Sequence, residues 1–430
     1  MKRYSEYKDS GVKWIGEIPG HWKTPKLNRV VSKVGSGSTP RGGSEVYIDE
    51  GIKFLRSQNI HFEGLNLDSV VYIPDSINEQ MKNTQVQPFD VLLNITGGSI
   101  GRCFYVDDTL GKANVNQHVC IIRPLSVNYR FLKYFLQSNS GQSQVWFYQK
   151  GDREGLSAES IKTFRLPLPP LPEQEAIVTY LDSKVAKIDE YISIAEKKIA
   201  ALEELKQTII AEAVTRGIHK DVPMKDSGVK WIGMIPEHWK IRKMKFVFKE
   251  RSEKGYPNEP VLSATQSNGV IPQSMYENRV VVVNKGFENL KLVCKGDFVI
   301  SLRSFQGGIE YAYYRGIISA AYTILTKSAE FLNEGYVKNL FKSHPFVQLL
   351  KTCVTGIREG QNINYSLLRD KYIPVPPLAE QQEIVTYIEA KVANINQLCQ
   401  AERSQIEKLK EYKQRLISDV VTGKVKVTND

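Results

Sequence analysis

Leu166–Asp189 reads LPLPPLPEQEAIVTYLDSKVAKID, and Ile373–Asn396 reads IPVPPLAEQQEIVTYIEAKVANIN, the same proline-rich step into the same periodic run, 207 residues further on. Each run opens with prolines and acids. Pro needs no amide partner in the first turn of a helix, and carboxylates face the positive end of the peptide dipoles there. From Glu173 to about Thr215 neither Gly nor Pro occurs. Leu181, Val185, Ile188, Ile192, Ala195, Ile199 and Leu202 recur at alternating steps of four and three, the spacing of a coiled-coil seam, which Lys206 interrupts before Ile209 and Ala213. The second copy runs Ile388, Val392, Ile395, Cys399, Glu402, Ile406, Leu409, Lys413, Leu416 and Val420. Two seams of one design are expected to pack on each other; the other reading is that each helix packs on its own domain.

Working outward, the copy widens. KDSGVKWIG stands at Lys8–Gly16 and again at Lys225–Gly233, 217 positions on. FDVLLNITGGSIG, from Phe89, is echoed by GDFVISLRSFQGG, from Gly296. Arg153-Glu154-Gly155 precedes the first proline-rich step and Arg358-Glu359-Gly360 the second, an offset of 205. A period near 200 is too long for a solenoid, whose units run about 20 to 50 residues. The chain is a tandem duplication of a domain with its helical tail, and its segments are expected at 1–170, 171–217, 218–376 and 377–430.

A chain of 430 residues, 41% hydrophobic and 24% charged, suits two or three globular domains, each able to build a core. No window holds the 18 or more apolar residues of a membrane span, and MKRYSEYKDS lacks the apolar core of a secretion signal, so a cytoplasmic location is expected. The five cysteines, Cys103, Cys120, Cys294, Cys353 and Cys399, form no CxxC pair, and neither a disulfide framework nor a zinc site is supported. The segments before the helical runs are rich in Gly, Asn, Tyr and β-branched residues. Short apolar runs at Val91–Leu93, Val119–Ile122 and Val280–Val283 predict mixed, strand-rich domains, with short helices near Arg130–Gln137 and Leu332–Phe341. The fold class is α+β.

Charge separates the same segments. Residues 1–170 carry 21 basic against 16 acidic side chains and residues 218–376 carry 23 against 14, whereas 171–217 carry 6 against 9 and 377–430 carry 8 of each. The net charge of +11 therefore sits in the two globular repeats, which points to a polyanion held by them and not by the helices. A basic cytoplasmic protein with no polyanion partner is the alternative.

The search for chemistry is mostly negative. GSGSTPRGG at Gly35 has the glycines of a phosphate loop, but Pro40 and Arg41 stand where Lys-Ser/Thr is needed; a mobile loop is the expected reading. Pro169-Pro170-Leu171 and Pro376-Pro377-Leu378 have the two prolines of the amino-methyltransferase motif, yet Leu168 and Val375 replace its polar acceptor and leucine its aromatic ring. Asp75, Glu79 and Lys82 have the residue types of a nuclease site but crowd one probable turn, and the six histidines are scattered.

With these marks in place, the chain resembles the DNA specificity subunit of type I restriction-modification enzymes. The resemblance covers essentially the whole chain. It is carried by PPLPEQEAI at Pro169, PPLAEQQEI at Pro376, LISDVVTGKV at Leu416, the repeated SGVKWIG openings at Ser10 and Ser227 with their following IP and HW, and NVNQHVCIIRP at Asn114–Pro124. It implies two target recognition domains, each reading one half of a split double-stranded DNA target, joined by two long antiparallel coiled-coil helices in a pseudo-two-fold repeat. It also implies no active site and no cofactor in this chain. The partners implied are two modification subunits using S-adenosylmethionine and motor-nuclease restriction subunits using ATP and magnesium. A methyltransferase-only or other DNA-defence complex, or a basic-headed scaffold with no DNA target, remain as alternatives.

Base edges and phosphates are contacted by Arg, Lys, Asn, Gln, Ser and Thr. In the first domain the loop and strand-end candidates are Ser38, Thr39, Arg41, Arg56, Gln58, Asn59, Thr96, Ser99 and Arg153. In the second they are Arg251, Thr265, Gln266, Ser267, Asn268, Arg303, Ser304, Gln306 and Arg358. Arg153 and Arg358 share one place in two domains, which suits phosphate positioning or helix-entry structure better than base readout. Trp14, Trp22, Trp231 and Trp239 are expected in the core.

Overall fold

The computed structural model describes residues 2–149, 155–276, 286–355 and 362–427. The run Val280–Val283 and the arginines Arg153 and Arg358 lie outside these residues. Two compact units divide the chain: Met1–Ala195 with Ser404–Asp430, and Glu196–Arg403.

In the first unit, a hairpin pairs Tyr7–Asp9 with Glu17–Pro19. Strands β1 (Val31–Ser36), β2 (Val91–Asn94), β3 (Cys103–Tyr105) and β4 (Val119–Pro124) form an antiparallel sheet in the order β1-β4-β2-β3. Val91 to Asn94 are all buried, as a strand covered on both faces requires. A second sheet joins Val71–Ile73, Ile52–Leu55 and Ala113–Val115, the last pair parallel. Helices α1 (Tyr129–Gln137) and α2 (Asn139–Tyr148) follow, capped by Asn128 and Ser138, whose side chains accept the free amides of the first turns. Helix α3 (Leu171–Arg216) then runs for 46 residues.

The second unit repeats the plan. A hairpin pairs Met224–Asp226 with Met234–Pro236. Strands β5 (Phe248–Arg251), β6 (Phe298–Ile300), β7 (Glu310–Tyr311) and β8 (Thr323–Lys327) take the order β5-β8-β6-β7, the same permutation as in the first unit. The remaining strands differ: two antiparallel pairs, Leu262–Thr265 with Gly269–Pro272 and Lys291–Val293 with Gly316–Ile318, linked by a parallel bridge between Val261 and Ile317, stand where the first unit has three strands. Helices α4 (Glu334–Lys342) and α5 (His344–Lys351) precede the 44-residue α6 (Leu378–Val421).

Both long helices do what each alternative predicted, in different places. Ile177, Val178 and Leu181 of α3, with Leu416, Ile417, Val420 and Val421 of α6, belong to the core of the first unit. Ala213 and Val214 of α3, with Ile384, Val385 and Ile388 of α6, belong to the core of the second. Between these ends, Ile188 and Ala195 in one helix and Ile395, Cys399 and Ile406 in the other are buried while their neighbours face solvent. The polar seam positions pair across the two helices: Lys413 with Asp189 at 2.7 Å in the first unit, and Glu402 with Lys198 and Lys206 with Asn396 in the second. The compact units thus cut both long helices instead of starting and stopping with them.

Each long helix ends on a left-handed glycine, Gly217 at φ +79° and Gly423 at φ +75°. A Cβ at Gly423 would lie 2.3 Å from the Pro19 ring and 3.1 Å from Trp22, so the repeated opening packs directly on the helix end. Trp22 and Trp239 are fully buried, and Trp14 and Trp231 are half-buried against Phe147 and Phe346.

Candidate nucleic-acid interface

The repeated Glu-Gln pair at the start of each long helix anchors its head. Gln174 accepts Asn128 N–H and donates to Pro169 O, both at 2.8 Å; Gln381 accepts Asn333 N–H and donates to Pro376 O at the same distances. Asn128 and Asn333 are the caps of α1 and α4, so one buried amide ties the short helix to the long one in both units. Glu173 accepts from Trp22 Nε1 at 3.1 Å and meets His21 at 2.8 Å, and Glu380 meets His238 at 2.7 Å. The motif explains itself: it holds proline step, opening and cap together.

On that frame, four loops of the first unit converge. Gly37 N donates to Val119 O and Ser38 N to Val115 O, which sets the start of the glycine-rich loop beside these residues. Its Thr39 Oγ donates to Gln117 Oε1 at 2.6 Å. Thr96 meets His118 Nδ1 at 2.6 Å. Asn94 Nδ2 donates to Ser57 O and Ser99 Oγ, tying the 56–59 loop to the 97–99 turn. Thr39, Arg41 and Gln58 are exposed and Ser38 and Thr96 half-exposed on these loops.

Several expected contact residues make hydrogen bonds within the fold. Asn59 is fully buried, accepting Arg56 N–H and donating to Asn66 O, because it closes its own loop. Arg56 donates to Ser69 O at 2.9 Å, and Ser99 takes the Asn94 amide. In the second unit Thr265 is buried, bridging Asn268 N and Gly269 O to shape the turn that exposes Gln266, Ser267 and Asn268. Ser304 is buried and accepts Ser301 N–H. Arg251 pairs with Asp297 at 3.1 Å and Glu253 at 2.8 Å, the counterpart of Arg123 with buried Asp90 in the first unit. Arg303 and Gln306 are exposed. Lys342 donates to Gln266 O and Gly307 O and pairs with Glu310, drawing two loops together. Gln266 and Gln306 line an open cavity of about 760 Å³ with Lys342, His344, Gln207 and Thr208.

Residue-type reasoning missed Gln117, His118 and Asn116. All three lie within the quoted NVNQHVCIIRP, where a polar turn just before an apolar strand is the signal that finds them.

Among the described residues no three His, Cys, Asp or Glu side chains gather as a metal site, and no helix is long and apolar enough to cross a membrane. Burial pushes the Cys103 and Cys120 thiols up to about 12, which removes them as nucleophiles at neutral pH. Burial also raises the Asp297 carboxyl, against the opposing pull of the Cys294 amide and Arg251. Asp75 and Glu79 lie on a short helix and not a turn, in exposed ion pairs with Lys112 and Lys82.

Two units that share the order of their four-stranded sheets and the anchors of their long helices, and differ in their rim side chains, define a paired-domain recognition protein. The family described as the type I restriction modification DNA specificity domain matches residues 19–204 and 236–408, and the chain belongs to that family. It is 23% identical to a putative type I restriction enzyme MjaX specificity subunit from Methanocaldococcus jannaschii, over 98% of each chain. It is 20% identical to the type I restriction enzyme EcoKI specificity subunit of Escherichia coli, over 95% of this chain and 90% of that one. A chain solved to explain complex assembly and conformational transition of the type I R-M system superposes with a TM-score of 0.68, covering 94% of this chain and 98% of its own at 17% identity. The chain is a DNA sequence-recognition subunit of the type I restriction-modification kind.

Proposed function

We propose that each head reads one half of a bipartite, asymmetric double-stranded DNA target and that the two long helices set the unread stretch between the halves. The chain is non-catalytic in this reading. It works in the cytoplasm with two modification subunits that bring S-adenosylmethionine, and with restriction subunits that bring ATP and magnesium. One observation carries it: the heads share sheet order, helix anchors and loop placement, yet differ in the side chains at the rim. A shared frame with different rims suits two different sequences. The basic excess of 218–376 and of 1–170 supports a polyanion at both.

The test is an exchange of residues 20–160 for the matching part of a relative, followed by mapping of the methylated motif produced with the modification partners. One half-site is expected to change while the other half and the spacer persist; simultaneous change of both halves rejects independent readout. Affinity for duplex DNA is expected to fall steeply with salt through counterion release. A chain that binds only acidic proteins, the scaffold alternative, gives no such DNA affinity.

A further inference from the structure

Two rim turns are built alike in the two heads. Before β4, the Asn116 side chain accepts His118 N–H at 3.2 Å, and Val119 N donates to Asn116 O at 3.1 Å. Before β8, Ser319 Oγ accepts Ala321 N–H at 3.3 Å, and Tyr322 N donates to Ser319 O at 3.1 Å. The registers Val91 to Ile122 and Phe298 to Leu325 make Gln117 and Ala320 equivalent, each five residues before the paired strand position. The turn is common, but its tip is Gln-His in one head and Ala-Ala in the other.

Gln117 is exposed and held from both sides. Its Oε1 accepts from Thr39 Oγ at 2.6 Å, and its Nε2 donates to His118 Nε2 at 3.0 Å. That leaves the His118 proton on Nδ1, where it donates to Thr96 Oγ at 2.6 Å. An amide has two acceptor sites and two donor hydrogens, so one of each stays unused. A fixed donor beside a fixed acceptor is the complement of the N6 and N7 edge of adenine in the major groove. The loop bearing Thr39 reaches the turn only because residue 37 is glycine: a Cβ there would stand 2.2 Å from Asn116 O. In the second head Ala320 and Ala321 present no such group, and the position matching Thr96 is the exposed Arg303.

We propose that Gln117, positioned by Thr39 and His118, reads an adenine in the half-site of the first head. This rests on the bipartite DNA reading above. The experiment uses the chain assembled with its modification partners and target duplexes in which each adenine in turn is replaced by 7-deazaadenine. One replacement, in the half-site assigned to the first head by the exchange experiment, should weaken wild-type binding about tenfold. In Gln117→Ala that replacement should cost nothing, and the methylated motif should widen at that position alone. His118→Ala should widen the same position, and the near-isosteric Gln117→Glu should turn the preference away from adenine. An unchanged motif in Gln117→Ala, widening in the other half-site, or a uniform loss at every position overturns the proposal. A wild-type complex that discriminates no sequence instead removes the underlying DNA reading.

Discussion

Gln174 and Gln381 are 1% and 0% exposed, and each satisfies the amide of a half-buried cap residue and the carbonyl of a buried proline. Truncating either leaves a buried proline carbonyl without its donor, so Gln174→Ala or Gln381→Ala is expected to cost about 1–3 kcal/mol. Thermal unfolding of each variant checks this, with exposed Gln400→Ala, on the same helix as Gln381, as a control that should leave the melting temperature unchanged. The buried carboxylates Asp90 and Asp297 show the same need met in two ways. Each sits at the same place in its sheet, but the arginine comes from β4 in one head and from β5 in the other. The repeated PEQ and AEQ were legible as a motif in the sequence. Their task was not, because their partners, Asn128 and Asn333, are distant along the chain and only the fold brings them near. The same holds for Asn59, Thr265 and Ser304: a polar residue in a loop has no mark that tells closing its own turn from facing a ligand.

At the scale of the element, the seam was readable because a step of 3.5 residues is a local property of the chain. Ile188 is 6% exposed and Tyr191, three residues on, is 61% exposed. Ile188→Ala is expected to destabilise by about 2–4 kcal/mol, the range for an aliphatic side chain removed from a packed site. Tyr191→Ala should change stability by less than about 0.5 kcal/mol. Equal losses in denaturant unfolding contradict a one-sided seam. What periodicity did not reveal is that the helix ends leave the seam for the head cores. Ile177 and Ile384 have the same apolar character whether they meet a helix or a sheet. Nor did the glycines of the loop at Gly35 reveal that Gly37 and Ser38 donate their amides to Val119 and Val115.

For the whole molecule, helix α3 is the ruler in the proposed function. Four residues inserted after Ala200 add about 6 Å of helix and about 40° of rotation beyond a full turn. A spacer longer by one or two base pairs is expected, with both half-sites unchanged, since DNA rises about 3.4 Å per pair. The methylated motif of a folded, active variant decides it, and an unaltered spacer means the helix does not set the distance. Duplication, helical periodicity and the placement of charge were determined by the sequence by itself, because each is carried by residues near one another in the chain or by identity between two copies. Which half of each long helix serves which core, which polar loop residues are spent on the fold, and the meeting of Thr39, Thr96 and His118 around Gln117 were decided only by tertiary structure. These depend on contacts between residues dozens of positions apart, and hydrogen-bonding side chains of one type serve either end with nothing local to distinguish them.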